Sequence, residues 1–216
     1  MSAGPVARRT FLFTVPVLMV PAGCSLVPTH PSPQIYQLSP QVEDPRGRAI
    51  PDSKLVVDLP SASQSLDTDR IALMQGRIRF DYYADSVWTD RLPALLQSLM
   101  VEAFEADGRI AEVGRDVSRL AKGYVLRTEI RRFEAQYTEP ATGSPEVAVV
   151  LALQLSANPE ERSVGHTLIS VRAHASENKV DAVVIAFDGA TGDALAQSVA
   201  WTTRAISGDR AHGRHP

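Results

Sequence analysis

Hydrophobic residues recur with helical spacing most cleanly in one stretch of this chain. Leu92, Leu95, Leu96, Leu99, Met100 and Ala103 fall at i, i+3, i+4, i+7, i+8 and i+11, one face of an amphipathic helix. Thr89 or Asp90 can cap it, and Gly108 stops it. Pro93 is tolerated because it falls in the first turn, where amide hydrogens lack intrahelical partners. Just upstream, Arg70–Gln75 and Arg77–Tyr83 alternate like two short strands that meet at Gly76. Ile35–Leu38 and Lys54–Leu59 also read as strands, the second an apolar run closed by Pro60, and residues 61–69 are turn-forming.

Downstream the period switches to two. Tyr124, Leu126, Thr128 and Ile130 share one face of a long strand, whereas Phe133, Ala135 and Tyr137 continue one residue out of step. A bulge near Arg131-Arg132 reconciles the two halves. After the loop Glu139–Pro145 the chain returns as the mostly apolar strand Val147–Leu155. The turn Asn158–Arg162 leads into a further strand, His166–His174. These pairs suggest an antiparallel meander. The last segment, Lys179–Ile206, carries Val180, Val183, Val184, Phe187, Leu195, Val199 and Ile206 at helical spacing. Asp188-Gly189 and Thr191-Gly192-Asp193 within it would by themselves mark a turn between two strands. A helix interrupted or weakened at the glycines is the preferred reading, a hairpin the alternative. The expected fold class is α+β: an antiparallel sheet meander covered on one side by two main helices, about 90–107 and 180–206. Residues 207–216 read as a polar, disordered tail.

Residues 1–23 read as a signal peptide rather than as part of the fold. Arg8-Arg9 supply a charged start. Phe11–Val20 form an apolar run that spans about 15 Å as a helix, half of a roughly 30 Å hydrocarbon core. The run ends in Pro21-Ala22-Gly23-Cys24-Ser25, where small residues precede the chain's single cysteine, as in a bacterial lipobox. That makes Cys24 the expected site of cleavage and lipidation. Pro21 stands where the motif usually carries an aliphatic residue, and Ser25 rather than Asp favours sorting to the outer membrane. Arg8-Arg9-Thr10-Phe11-Leu12 also resembles a twin-arginine export signal, so the export route is open. Residues 24–34 hold Pro28, Pro31 and Pro33 and read as an extended tether of about 3 Å per residue. The folded domain is expected to occupy 35–206.

Charge and motifs narrow the function classes. The full chain has a net charge of −3, and removal of Arg8 and Arg9 with the signal peptide leaves about −5, which gives no electrostatic footprint for nucleic acid. One cysteine excludes an internal disulfide and any cysteine-cluster metal site. The chain lacks G-x-S-x-G, H-E-x-x-H, G-x-x-x-x-G-K and G-x-G-x-x-G. His166 and His174 lie on one face of the same expected strand but about 27 Å apart, too far to share a metal. Asp67, Asp69, Asp81, Asp85 and Asp90 do not match a calcium loop, and loop and cap roles account for them more simply. Neither catalysis, nor a cofactor, nor a metal is expected.

Several segments together resemble the ABC-type transport auxiliary lipoprotein family. They are Ile35-Tyr36-x-Leu38, Val56-Val57-Asp58-Leu59-Pro60, Leu66-Asp67-Thr68-Asp69-Arg70-Ile71-Ala72, Asp81-Tyr82-Tyr83-Ala84-Asp85-Ser86-Val87-Trp88, the Leu92-Pro93 helix start and Trp201-Thr202. The resemblance spans most of 35–206. It implies a non-catalytic periplasmic domain with helices packed on an antiparallel sheet. Its lipid anchor would hold it to the outer membrane of a Gram-negative bacterium. Its partner would be the mammalian-cell-entry-domain subunit of an intermembrane lipid transporter, with lipid and further copies of itself as other candidate partners. Tyr82, Tyr83 and Trp88 are the candidate contact residues, because large amphipathic rings concentrate interface energy. The competing reading is that these rings staple the sheet to its helix. The alternative functions are a lipid-binding or envelope-assembly lipoprotein unconnected to a transporter, favoured by a sizeable apolar cavity, and a hydrolase with an unrecognised site.

Overall fold

A computed structural model describes residues 32–40, 48–115, 123–138, 143–159 and 161–212. The fold below is that of the unit Ser32–Pro216. Cys24, the lipobox and residues 24–31 of the tether lie outside the described residues.

Among the described residues eleven elements follow one another: β1 (Gln34–Tyr36), β2 (Ile50–Val57), β3 (Ser61–Ala62), β4 (Arg70–Gln75), β5 (Arg79–Trp88), α1 (Leu92–Asp107), β6 (Ile110–Gly114), β7 (Gly123–Tyr137), β8 (Glu146–Asn158), β9 (Arg162–His174) and α2 (Val180–His212). The fold is α+β, with an open sheet and two helices. The meander is present in β7–β8–β9 and again in the β4–β5 hairpin. The rest of the sheet is parallel, so the sheet as a whole is mixed. β7 is its hub: one edge takes β8 along its whole length, and the other takes β2, β3 and β4 end to end in parallel. β2 passes the sheet on to β6, and β5 passes it on to β1, both in parallel. β6 escapes the periodicity argument because only Ile110 of its five residues is buried.

The phase change in β7 is where the alternation places it. Leu126, Thr128 and Ile130 are buried and Arg127, Glu129 and Arg131 exposed, then Phe133 and Ala135 are buried. The register against β8 shifts between Ile130 and Arg132, so one extra residue returns the apolar set to the core.

α1 begins at Leu92 with Pro93 in its first turn and ends at Gly108, whose φ of 64° suits a residue without a Cβ. Thr89 and Asp90 do not cap it. Arg91 occupies the cap position without a side-chain bond, and the Leu92 amide donates to the Thr68 carbonyl at 3.0 Å. A neighbouring loop therefore satisfies an amide that the sequence assigned to a local hydroxyl or carboxylate.

α2 is one unbroken helix of 33 residues, about 50 Å long, so neither the interruption nor the hairpin is found. It also runs through Ser207–His212, which corrects that part of the expected disordered tail. Val183, Phe187, Ala190, Ala194, Ser198, Thr202 and Ile206 form a buried stripe that passes straight through the glycines. A helical glycine costs about 1 kcal/mol relative to alanine, and burial of the flanking apolar turns outweighs that.

Candidate functional site

The junction of β5 and α1 holds the three candidate aromatics, and the fold sends them in three directions. β5 is distorted here. Its register against β4 slips between Arg70 and Ala72, and Asp85 adopts a positive φ of 51°. Beyond the slip the end of β5 pairs on one edge with β4, Arg70 opposite Val87, and on the other with β1, Gln34 opposite Ser86 and Tyr36 opposite Trp88.

Trp88 points inward and is only 2% exposed. Its ring meets Phe187 of α2 edge-on at 5.3 Å and Phe133 of β7 at 6.1 Å, and those two phenylalanines stack at 4.8 Å. Trp88 thus ties β5, β7 and α2 together, and a partner cannot reach it without opening the core. Its assignment as a contact residue is corrected to a packing role. The rings that meet it come from far along the chain, so the local sequence carried no sign of them.

Tyr83 is half-buried. Its hydroxyl lies 2.8 Å from that of Tyr137, which donates in turn to Asn178 Oδ1 at 2.8 Å, so Tyr83 is the donor to Tyr137. Burial, and then the Tyr137 hydroxyl, push the Tyr83 hydroxyl well above the ordinary phenol value. Tyr82 is half-buried as well. Its hydroxyl donates to the Ser65 carbonyl at 3.0 Å, its ring stands edge-on to Phe80, and the Arg70 guanidinium sits over it at 3.8 Å.

The aspartates of this region serve the backbone and surface pairs. Asp81 accepts from the Tyr82 amide at 2.8 Å, Asp90 from the Arg91 amide at 2.7 Å, and Asp67 pairs with Arg91 at 2.5 Å. On β9, His174 lies 3.4 Å from Glu146, while His166 lines a shallow groove on the open face of β7, β8 and β9.

Two polar clusters outside the expected site fix α2 to the sheet. Near its N-terminus, the Tyr36 hydroxyl donates to Asp181 at 2.6 Å and the Ser39 amide to Asp188 at 2.7 Å. Loss of water and the Asp181 carboxylate push the Tyr36 hydroxyl up to about 12. Near its C-terminus, Asp209 takes both a guanidinium nitrogen of Arg162 at 2.8 Å and the Tyr124 hydroxyl at 3.0 Å. Arg162, and then Tyr124, hold the Asp209 carboxyl below the usual carboxylate range. Burial, helped by Asp209, pushes the Tyr124 hydroxyl up to about 12. Their partners lie 47 to 149 residues apart in the chain, which hid both clusters from the sequence.

The site, then, is a braced aromatic corner beside open grooves. One of them, about 850 Å³, is lined by Met74, Ile78, Arg132, Tyr137, Glu146 and Arg172. Among the described residues no group of three or more metal-ligating side chains converges.

Comparison with known proteins defines the class. The family model of the ABC-type transport auxiliary lipoprotein component matches residues 36–200. The chain belongs to that family. A Xanthomonas campestris protein of the DUF330 family, known from a crystal structure, is 26% identical; the match covers 82% of this chain and 99% of that one with a TM-score of 0.76. An uncharacterised protein of solved structure, 13% identical over 82% of this chain and 99% of its own, shares the fold with a TM-score of 0.62. No curated protein matches the sequence.

Proposed function

We propose that this chain is the tethered dock of an intermembrane lipid transporter. Cys24 is acylated and seats in the outer membrane. The folded domain faces the periplasm and binds a mammalian-cell-entry-domain subunit of the ABC-type system. The observation that carries this reading is the family match over 36–200, which makes the chain an ABC-type transport auxiliary lipoprotein component. Two features of the sequence supply the membrane part. Ala22-Gly23-Cys24 follows an apolar run too short to span, and a proline-rich tether comes directly after it. Acyl chains gain about 0.8 kcal/mol per buried methylene, so more than one chain on a single residue anchors stably where one would exchange. No helix among the described residues is long and apolar enough to cross a membrane. The domain's role is non-catalytic: its buried aromatic residues pack the core, and Tyr82 offers an amphipathic ring at the surface.

Membrane fractionation with co-purification, comparing native protein with Cys24→Ser, tests the reading. Native protein is expected in the outer membrane together with a mammalian-cell-entry-domain subunit, and Cys24→Ser protein is expected to leave the membrane. A native protein that is soluble and without that subunit would overturn it.

A further inference from the structure

The turn between β4 and β5 carries the most exposed large apolar side chain among the described residues. Ile78 is 94% exposed, with Arg77 before it and Arg79 after it. Among the described residues neither arginine has a carboxylate partner; Arg79 Nη2 donates instead to the Gln75 side-chain oxygen, which braces the guanidinium at the tip. Among the described acids at this end of the sheet, Glu146 pairs with Arg172 at 2.6 Å and with His174, Glu177 pairs with Lys179 at 2.7 Å, and Asp81 accepts from the Tyr82 amide. The tip is therefore an aliphatic point between two available cations.

The first described strand pairs with the strand that carries this turn. β1 runs parallel to β5 with Gln34 opposite Ser86. The seven residues from Ser86 back to Arg79 cover about 23 Å at about 3.3 Å each. The ten residues from Cys24 to Gln34, three of them proline, reach about 31 Å when extended. A leaflet that holds Cys24 is thus within reach of the turn.

We propose that the segment Gly76–Arg79 is a second membrane contact, whose partner is an anionic phospholipid surface. Ile78 enters the boundary between headgroups and acyl chains, and the forked guanidinium groups of Arg77 and Arg79 take phosphate oxygens. The proposal rests on the anchoring of Cys24 argued above. It adds orientation to that anchoring: the Asn158–Arg162 turn and the C-terminal end of α2, at the far end of the antiparallel ladder, then point away from the leaflet.

The test places an environment-sensitive fluorophore at Ile78→Cys in the mature chain, where acylation occupies the native cysteine. Leu168→Cys, on the open sheet face, is the matched control. The protein is reconstituted in vesicles of equimolar phosphatidylethanolamine and phosphatidylglycerol with brominated acyl chains. Quenching at position 78 and not at 168, diminished in phosphatidylcholine vesicles and by Arg77→Ala with Arg79→Ala, supports the contact. Equal accessibility at both positions overturns it, as does protection of position 78 in detergent without lipid, which marks a protein contact instead. Mass spectrometry of the N-terminal peptide reads the anchor separately. If Cys24 proves unmodified, the unanchored chain is titrated with the same vesicles. Its affinity is expected to fall about fivefold for each arginine removed, and no binding would overturn the proposal.

Discussion

At the scale of single residues, position along β5 decides between core and surface roles for chemically similar rings. Trp88→Ala removes a 2% exposed ring that three elements share. It is expected to cost about 3–5 kcal/mol in urea unfolding. Tyr82→Ala removes a half-buried ring and one hydrogen bond to Ser65, at about 1 kcal/mol. Its larger effect is expected on capture of the transporter subunit, read by co-purification. Asp209 gives a pH signature. Its folded carboxyl is held below the ordinary value of about 3.9, so its contribution is present above that value and is lost as the pH falls through the lower folded one. Asp209→Asn is expected to cost about 1–3 kcal/mol at about pH 7, with the deficit shrinking at about pH 3 in paired urea melts.

At the scale of elements, α2 shows tertiary packing overriding local propensity. A Cβ built on Gly189 has nothing within 4 Å. Gly189→Ala is therefore expected to stabilise the protein by about 0.5–1 kcal/mol, seen as a raised urea midpoint with unchanged slope. Gly108→Ala does the opposite, because the φ of 64° there disfavours any side chain. The strands β7 and β9 and the helix α1 were legible because burial follows one face of each, so that period marks it, whereas β8, buried at runs of consecutive positions, was legible as an apolar run between turns. The bulge at Ile130–Arg132 was legible for the same reason, as a change of phase. Parallel pairing was not legible. β2, β3 and β4 share one edge of β7, and their registers depend on contacts about 60–70 residues away in sequence, which no local pattern encodes. Continuity of α2 failed to show because Asp188-Gly189 carries the same local signal in a hairpin turn as in a helix interior whose neighbours are buried. The aromatic corner was visible as a concentration of rings, but the inward turn of Trp88 depends on Phe133 and Phe187 from other elements.

At the scale of the whole molecule, the fold presents an open mixed sheet backed by two helices, with its apolar content spent on one continuous core. Such a domain suits a rigid adaptor. What it offers a partner is a set of surface points: Tyr82 at the corner, Leu168 on the open sheet face, Ile185 on α2 and Leu59 beyond β2. The central claim is that one of these surfaces binds the transporter. Photo-crosslinking residues placed singly at Tyr82, Leu168, Ile185 and Leu59 in living bacteria test it most directly. A covalent adduct with a mammalian-cell-entry-domain subunit is expected from at least one position, weakened when Cys24→Ser releases the protein from its membrane. Adducts confined to other copies of this chain, or no adduct at any position, would contradict it.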